Sequence, residues 1–115
     1  MTTLVTASLA GAVGAVCRYL VSGWVQTASS SDFPVGTLCV NLTGSFGLGL
    51  VVGAGHLDST LILTAVGFLG GFTTFSTWMI ETIRLGPRSP RALINLSLSL
   101  TGGVIAAAVG FTLSS

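Results

Sequence analysis

The stretch Gly67–Thr82, GFLGGFTTFSTWMIET, decides how this chain is read. It is apolar enough to sit in a bilayer, yet two adjacent glycines, Gly70 and Gly71, precede Thr73, Thr74, Ser76 and Thr77. Glycine weakens a helix, and backbone freed at membrane depth persists only where protein or a cavity covers it. The pattern predicts a membrane span broken at Gly70-Gly71, whose freed carbonyls can coordinate a hard cation. Phe72, Phe75 and Trp78 are interleaved with the hydroxyls. Aromatic ring edges carry positive potential and can favour an anion. The same three rings read equally well as packing or lipid contacts.

The rest of the chain has the same character. Half of its 115 residues are hydrophobic, the mean hydropathy is +0.92, and 6% are charged. A soluble domain carries about a quarter. The composition is that of an integral membrane protein, and the net charge of +1 gives no basis for nucleic-acid binding. Four apolar runs are long enough to span hydrocarbon, roughly Thr3 to Ser22, Val35 to Ala54, Thr60 to Ile83 and Ala92 to Leu113. The polar breaks TASSSDFP, GHLDS and RLGPRSPR separate them and hold both Asp residues, His56 and all three prolines. His56 is expected to be an interfacial loop residue rather than a ligand or proton relay. No basic segment and small-residue cleavage signature frame the first run, so no signal peptide is expected. Cys17 and Cys39 read as small apolar residues within spans, although a disulfide between them is possible.

Small residues recur at four-residue spacing, as Ala7, Gly11 and Ala15, as Ser45, Gly49 and Gly53, and as Gly102, Ala106 and Gly110. Such faces let helix backbones approach closely in lipid. Four short helices leave little interior, so oligomerisation is expected. The polar side chains at membrane depth are Arg18, Asn41, Thr43, Ser45, Thr73, Thr74, Ser76, Thr77, Asn95, Ser97, Ser99 and Thr101. Nearly all are neutral hydrogen-bond donors, and no carboxylate lies mid-span. A proton-coupled exporter would need a buried acid or histidine. A track of neutral donors with one arginine suits passive movement of a small anion. No nucleophile–base pair, metal-ligand cluster or cofactor motif suggests an enzyme.

GGFTTFST closely resembles the Gly-Gly-x-Thr-Thr-Phe-Ser-Thr signature of the Fluc/CrcB fluoride channels. NLTGSFGLG in the second span is similar to that family's Asn-x-x-Gly-Ser-Phe element, and GAVGAVCRYL in the first carries its Gly-x-x-x-Arg-Tyr pattern. The resemblance implies an all-α membrane protein of four helices in a bacterial plasma membrane. It also implies an antiparallel, dual-topology-type dimer with two fluoride pores and a central structural sodium ion that is not transported. It places backbone carbonyls of Gly70 and Thr73 on the sodium. Asn41, Phe75 and Ser99 fall on the pore, with Ser76 beside them, and Arg18 near the aqueous vestibule. Trp78 stands where the family has a second pore phenylalanine, and Asn95 where it usually has a tyrosine.

Arg84, Arg88 and Arg91 gather between the third and fourth spans, while the loops on the side of the termini hold no Arg or Lys. The positive-inside rule then puts the arginine-rich loop in the cytoplasm and both termini outside. This bias predicts one fixed orientation and pairing with an oppositely oriented paralogue. A homodimer is the other arrangement. The rival readings are a partner subunit that does not conduct alone and a small multidrug-type exporter, which would rely on an acid in its first helix.

Overall fold

A computed structural model describes residues 1–55, 57–86 and 88–115. His56, expected in a loop, and Pro87 lie outside the described residues. The helices are α1 (Thr2–Ser29), α2 (Val35–Gly53), α3 (Ser59–Phe72), α4 (Ser76–Arg84) and α5 (Pro90–Ser114). With α3 and α4 forming one crossing, four helical segments among the described residues are long and apolar enough to traverse a membrane.

The ends follow local chemistry. Asp58 caps α3 by accepting from the N–H groups of Thr60 at 3.0 Å and Leu61 at 3.3 Å. Ser89 caps α5, with Pro90 at its first position, where the missing N–H costs nothing. The N-terminus of α2 has no cap of its own, and Gln26 of α1 supplies one. Its Oε1 accepts from Gly36 N–H at 2.9 Å, and its Nε2 donates to Ser31 O at 2.7 Å and Phe33 O at 2.9 Å. The first helix therefore runs to Ser29, beyond the Ser22 limit of its apolar run. Polarity ends the membrane-compatible composition there, but the helix continues through Gly23.

The third span is interrupted at Thr73–Phe75, not at Gly70-Gly71. Both glycines are helical, and Gly71 serves packing, whereas a Cβ at Gly70 would meet nothing within 4 Å. A Cβ at Gly71 would overlap the carbonyl oxygen of Gly11, and one at Gly67 would crowd that of Ala7. These contacts dock α1 and α3 side by side, running in the same direction. Thr3–Thr60 and Thr6–Thr64 hydroxyl pairs, each 3.0 Å apart, tie the same interface. The α1 contact stripe is Ala7, Gly11 and Gly14 rather than Ala15, because 3.6 residues per turn brings position 14 back over 7 and 11. A parallel arrangement joins α2 to α5, where Gly49 meets the Ala107 carbonyl and Gly110 that of Phe46.

The interior is thin. Val40, Phe72, Trp78 and Ala92 are the buried apolar residues among those described, while Leu4, Val13, Trp24 and Val104 are among many that face outward. Such a surface needs lipid or another subunit against it. Cys17 and Cys39 are free, half-buried thiols.

Candidate anion pathway and helix break

The site is built around the broken segment. Thr73 leaves the helix with φ −87° and ψ 160°, although its N–H and Oγ1 still donate to Leu69 O, at 2.9 and 3.0 Å. Beyond it, Asn41 takes over the backbone. Its Oδ1 accepts from Thr74 N–H at 2.8 Å, and its Nδ2 donates to Thr74 O at 2.9 Å. One side-chain amide thus does for Thr74 what a neighbouring strand does in a sheet. Thr74 Oγ1 then accepts from Thr77 N–H at 3.3 Å and starts α4.

These bonds redirect donors. In an unbroken helix Thr74 N–H would bond Gly70 O and Thr77 N–H would bond Thr73 O. Both N–H groups are committed elsewhere, to Asn41 and to the Thr74 hydroxyl. The carbonyls of Gly70 and Thr73, the pair expected to hold sodium, are therefore among those at the break that lose their helical partners. Hard cations favour such oxygen ligands, and half-unwound membrane helices present them. The donor chemistry at this break fits a monovalent cation held by main-chain oxygens.

A cavity of about 330 Å³ opens against the break. Asn41, Ser45, Gly70, Thr73, Thr74, Phe75, Trp78 and Ser99 line it, together with aliphatic side chains. Among the described residues, no acidic or basic one does. Of the expected pore residues, the fold brings Asn41, Phe75, Trp78 and Ser99 together here. Ser76 sits outside this wall, exposed at the start of α4. Asn95 is only 1% exposed and packs behind the wall, its Nδ2 donating to Thr82 Oγ1 at 2.8 Å. Thr82 Oγ1 in turn donates to Trp78 O at 2.8 Å. Asn95 and Trp78, the two departures from the family pattern, are thus joined through one threonine. The rings of Phe75 and Trp78 meet edge to face, with centroids 5.6 Å apart and planes inclined by 75°.

A second cavity, of about 320 Å³, lies on the other side of Thr74 and includes Arg18, Ser22, Gln26, Thr37, Thr77 and Glu81 in its wall. Thr37 Oγ1 donates a hydrogen bond to Glu81 Oε1. Arg18, expected near an aqueous vestibule, therefore shares this space with a carboxylate. Thr74 borders both cavities.

Sequence reasoning missed Gln26, Thr37, Glu81 and Thr82 as parts of this region. A signal existed for some of them. Thr37, Asn41 and Ser45 recur every four residues on α2, and Thr74, Thr77 and Glu81 follow helical spacing on the facing segment. Reading the two stripes together would have drawn Thr37 and Glu81 in. Nothing in the local pattern singles out Gln26, whose role depends on the turn that follows.

Comparison with known proteins bears on this geometry. The family model described as "CrcB-like protein, Camphor Resistance (CrcB)" matches residues 5–111. The chain is 43% identical over 115 residues to "Fluoride-specific ion channel FluC 2" of Mycolicibacterium paratuberculosis, covering 96% of this chain and 94% of the relative. It is 45% identical over 108 residues to "Fluoride-specific ion channel FluC 1" of Rubrobacter xylanophilus, covering 91% and 86%. "Fluoride-specific ion channel FluC 2" of Mycobacterium tuberculosis is 42% identical over 104 residues, covering 89% and 82%.

Proposed function

The chain belongs to the CrcB family of fluoride-specific ion channels, and from that premise we propose that it carries fluoride passively out of the cytoplasm across a bacterial plasma membrane. It is a multi-pass membrane protein and not an enzyme, and the family assignment sets aside the exporter reading. The observation that carries the proposal is the wall of the first cavity, which offers neutral donors and ring edges with no acidic or basic side chain among the described residues. Fluoride is small and tightly hydrated, so a pathway must replace its water with strong donors such as Asn41 Nδ2 and the Ser99 hydroxyl. In this reading Arg18 draws anions toward the second cavity against the opposing charge of the Glu81 carboxylate in the same wall.

A structural sodium ion, held by the Gly70 and Thr73 carbonyls, belongs to the same reading. The redirected Thr74 and Thr77 N–H groups support it, because they leave these oxygens without helical donors. Gly70 and Phe75 are both exposed on the single subunit. A second, antiparallel copy laid over them would close the cavity and centre the cation between the two chains.

The test is fluoride release from liposomes holding only this chain, read with a fluoride electrode beside a chloride control. Rapid fluoride release without chloride release is expected. A second arrangement, an obligate heterodimer with an oppositely oriented paralogue, is favoured by the exposed arginines Arg84, Arg88 and Arg91 at one end of the bundle. Silence from the chain alone, followed by flux on co-reconstitution with a paralogue, would replace the homodimer by that arrangement.

A further inference from the structure

Helix α4 is short and thinly seated. Along Ser76–Arg84 the buried residues are Trp78 and Thr82, about one helical turn apart and so on one face. A nine-residue helix that follows a break in the chain gains little position from so small an apolar contact. Polar bonds must therefore decide how far it rotates or slides, because hydrogen bonds demand direction where apolar contacts do not. From α2, Asn41 holds Thr74, ahead of the helix, and Thr37 holds Glu81.

From α5 comes a bond that reaches Trp78. The Thr82 hydroxyl turns onto the Trp78 carbonyl four residues back, a common habit of helical threonine. That use consumes its proton and leaves its lone pairs, and Asn95 Nδ2 donates to one of them across the helix interface. Asn95 is 1% exposed and Thr82 6%, so the pair is shielded from competing water. The same two residues fix a register. One turn back from Thr82 along α4 is Trp78, and one turn on from Asn95 along α5 is Ser99, and both line the first cavity. Helices joined by a short turn run antiparallel, so both steps lead the same way, from the Asn95–Thr82 bond toward the cavity. The edge-to-face contact passes the constraint on to Phe75.

We propose that Asn95 and Thr82 are positioning residues that lock the register of α4 against α5, and that discrimination against larger anions depends on this lock because it holds the Phe75–Trp78 wall in place. The consequence for fluoride rests on the channel reading above. The lock itself does not.

The test compares the full chain with Asn95→Leu, Thr82→Val, their combination and Thr82→Ser, each reconstituted in liposomes, with fluoride and chloride release read from the same preparation. Leu and Val keep the approximate shapes and remove the hydrogen bond. Each should lower the fluoride-to-chloride release ratio about threefold, the factor that corresponds to one cross-helix hydrogen bond in a bilayer. The combination should fall no further than the worse single variant, since both cut one bond. Thr82→Ser keeps the hydroxyl and should keep the parent ratio. An unchanged ratio in Asn95→Leu and Thr82→Val, even with lowered melting temperatures, overturns the proposal and leaves a merely structural bond. Losses that multiply in the combination overturn it as well.

A second readout does not depend on transport. In a Trp24→Phe background Trp78 is the single indole. Its quenching by acrylamide in lipid nanodiscs should rise in Asn95→Leu and Thr82→Val and stay at the parent level in Thr82→Ser. A parent chain that releases no fluoride but follows this quenching pattern keeps the lock and loses the self-sufficient channel. A conducting chain whose quenching ignores both substitutions does the reverse.

Discussion

Asn41 shows how one side chain can carry both a fold and a pathway. Its amide closes two hydrogen bonds on Thr74 while lining the cavity on the other side. Asn41→Ala strands the Thr74 N–H and C=O together, and a buried unsatisfied group costs about 1–3 kcal/mol. Lower thermal stability and loss of fluoride efflux should appear together. Asn41→Asp keeps an acceptor for Thr74 N–H but removes the donor to Thr74 O and adds a negative charge in an anion's path. It should abolish efflux in the liposome assay while restoring part of the stability lost in Asn41→Ala. Asn41, Thr73, Phe75 and Ser99 were legible in the sequence because they are polar or aromatic residues inside apolar runs. Thr82 and Gln26 were not, since a threonine or glutamine becomes a relay or a cap only when folding brings a distant carbonyl or N–H against it.

At the scale of the elements, the four spans were legible from apolar run length, and the position of the break was not. Glycine weakens a helix in isolation, but Gly71 lies where α1 presses closest, so its lack of a side chain serves contact and the helix continues through it. The chain leaves the helix only where Asn41 offers Thr74 better partners than the preceding turn does. The glycine pair should therefore behave asymmetrically. Gly71→Ala drives a Cβ into the Gly11 carbonyl and should cost about 1–3 kcal/mol of overpacking. Gly70→Ala meets nothing within 4 Å in the subunit and should leave the melting temperature of the detergent-solubilised subunit near that of the parent. Equal destabilisation by both variants in a thermal size-exclusion assay would contradict this packing account.

For the whole molecule, the arginines define a polarity. Arg84, Arg88 and Arg91 sit at the end shared by the C-terminus of α1, the N-terminus of α2 and the α4–α5 turn. Arg18 lines a cavity reaching toward that same end. Replacing Arg84, Arg88 and Arg91 by Gln should relax a fixed insertion into a mixture of orientations. The readout is labelling of a cysteine introduced at Ser115, in a background with Cys17→Ser and Cys39→Ser, from each side of sealed vesicles. Replacing sodium with a bulky organic cation should weaken subunit association if the Gly70 and Thr73 carbonyls hold sodium between chains, and mass photometry would report the shift toward single subunits. The pairing of the helices has a consequence for biosynthesis. Its principal interfaces join α1 to α3 and α2 to α5, so the threonine pairs that fasten the first of them are 57 and 58 residues apart. Neither interface is a hairpin. Each early span must therefore wait in the bilayer without its principal partner until a segment made much later emerges from the ribosome. A nascent chain arrested before Pro90 would leave the glycine face of α2 bare, the state a membrane protease would recognise as an orphan.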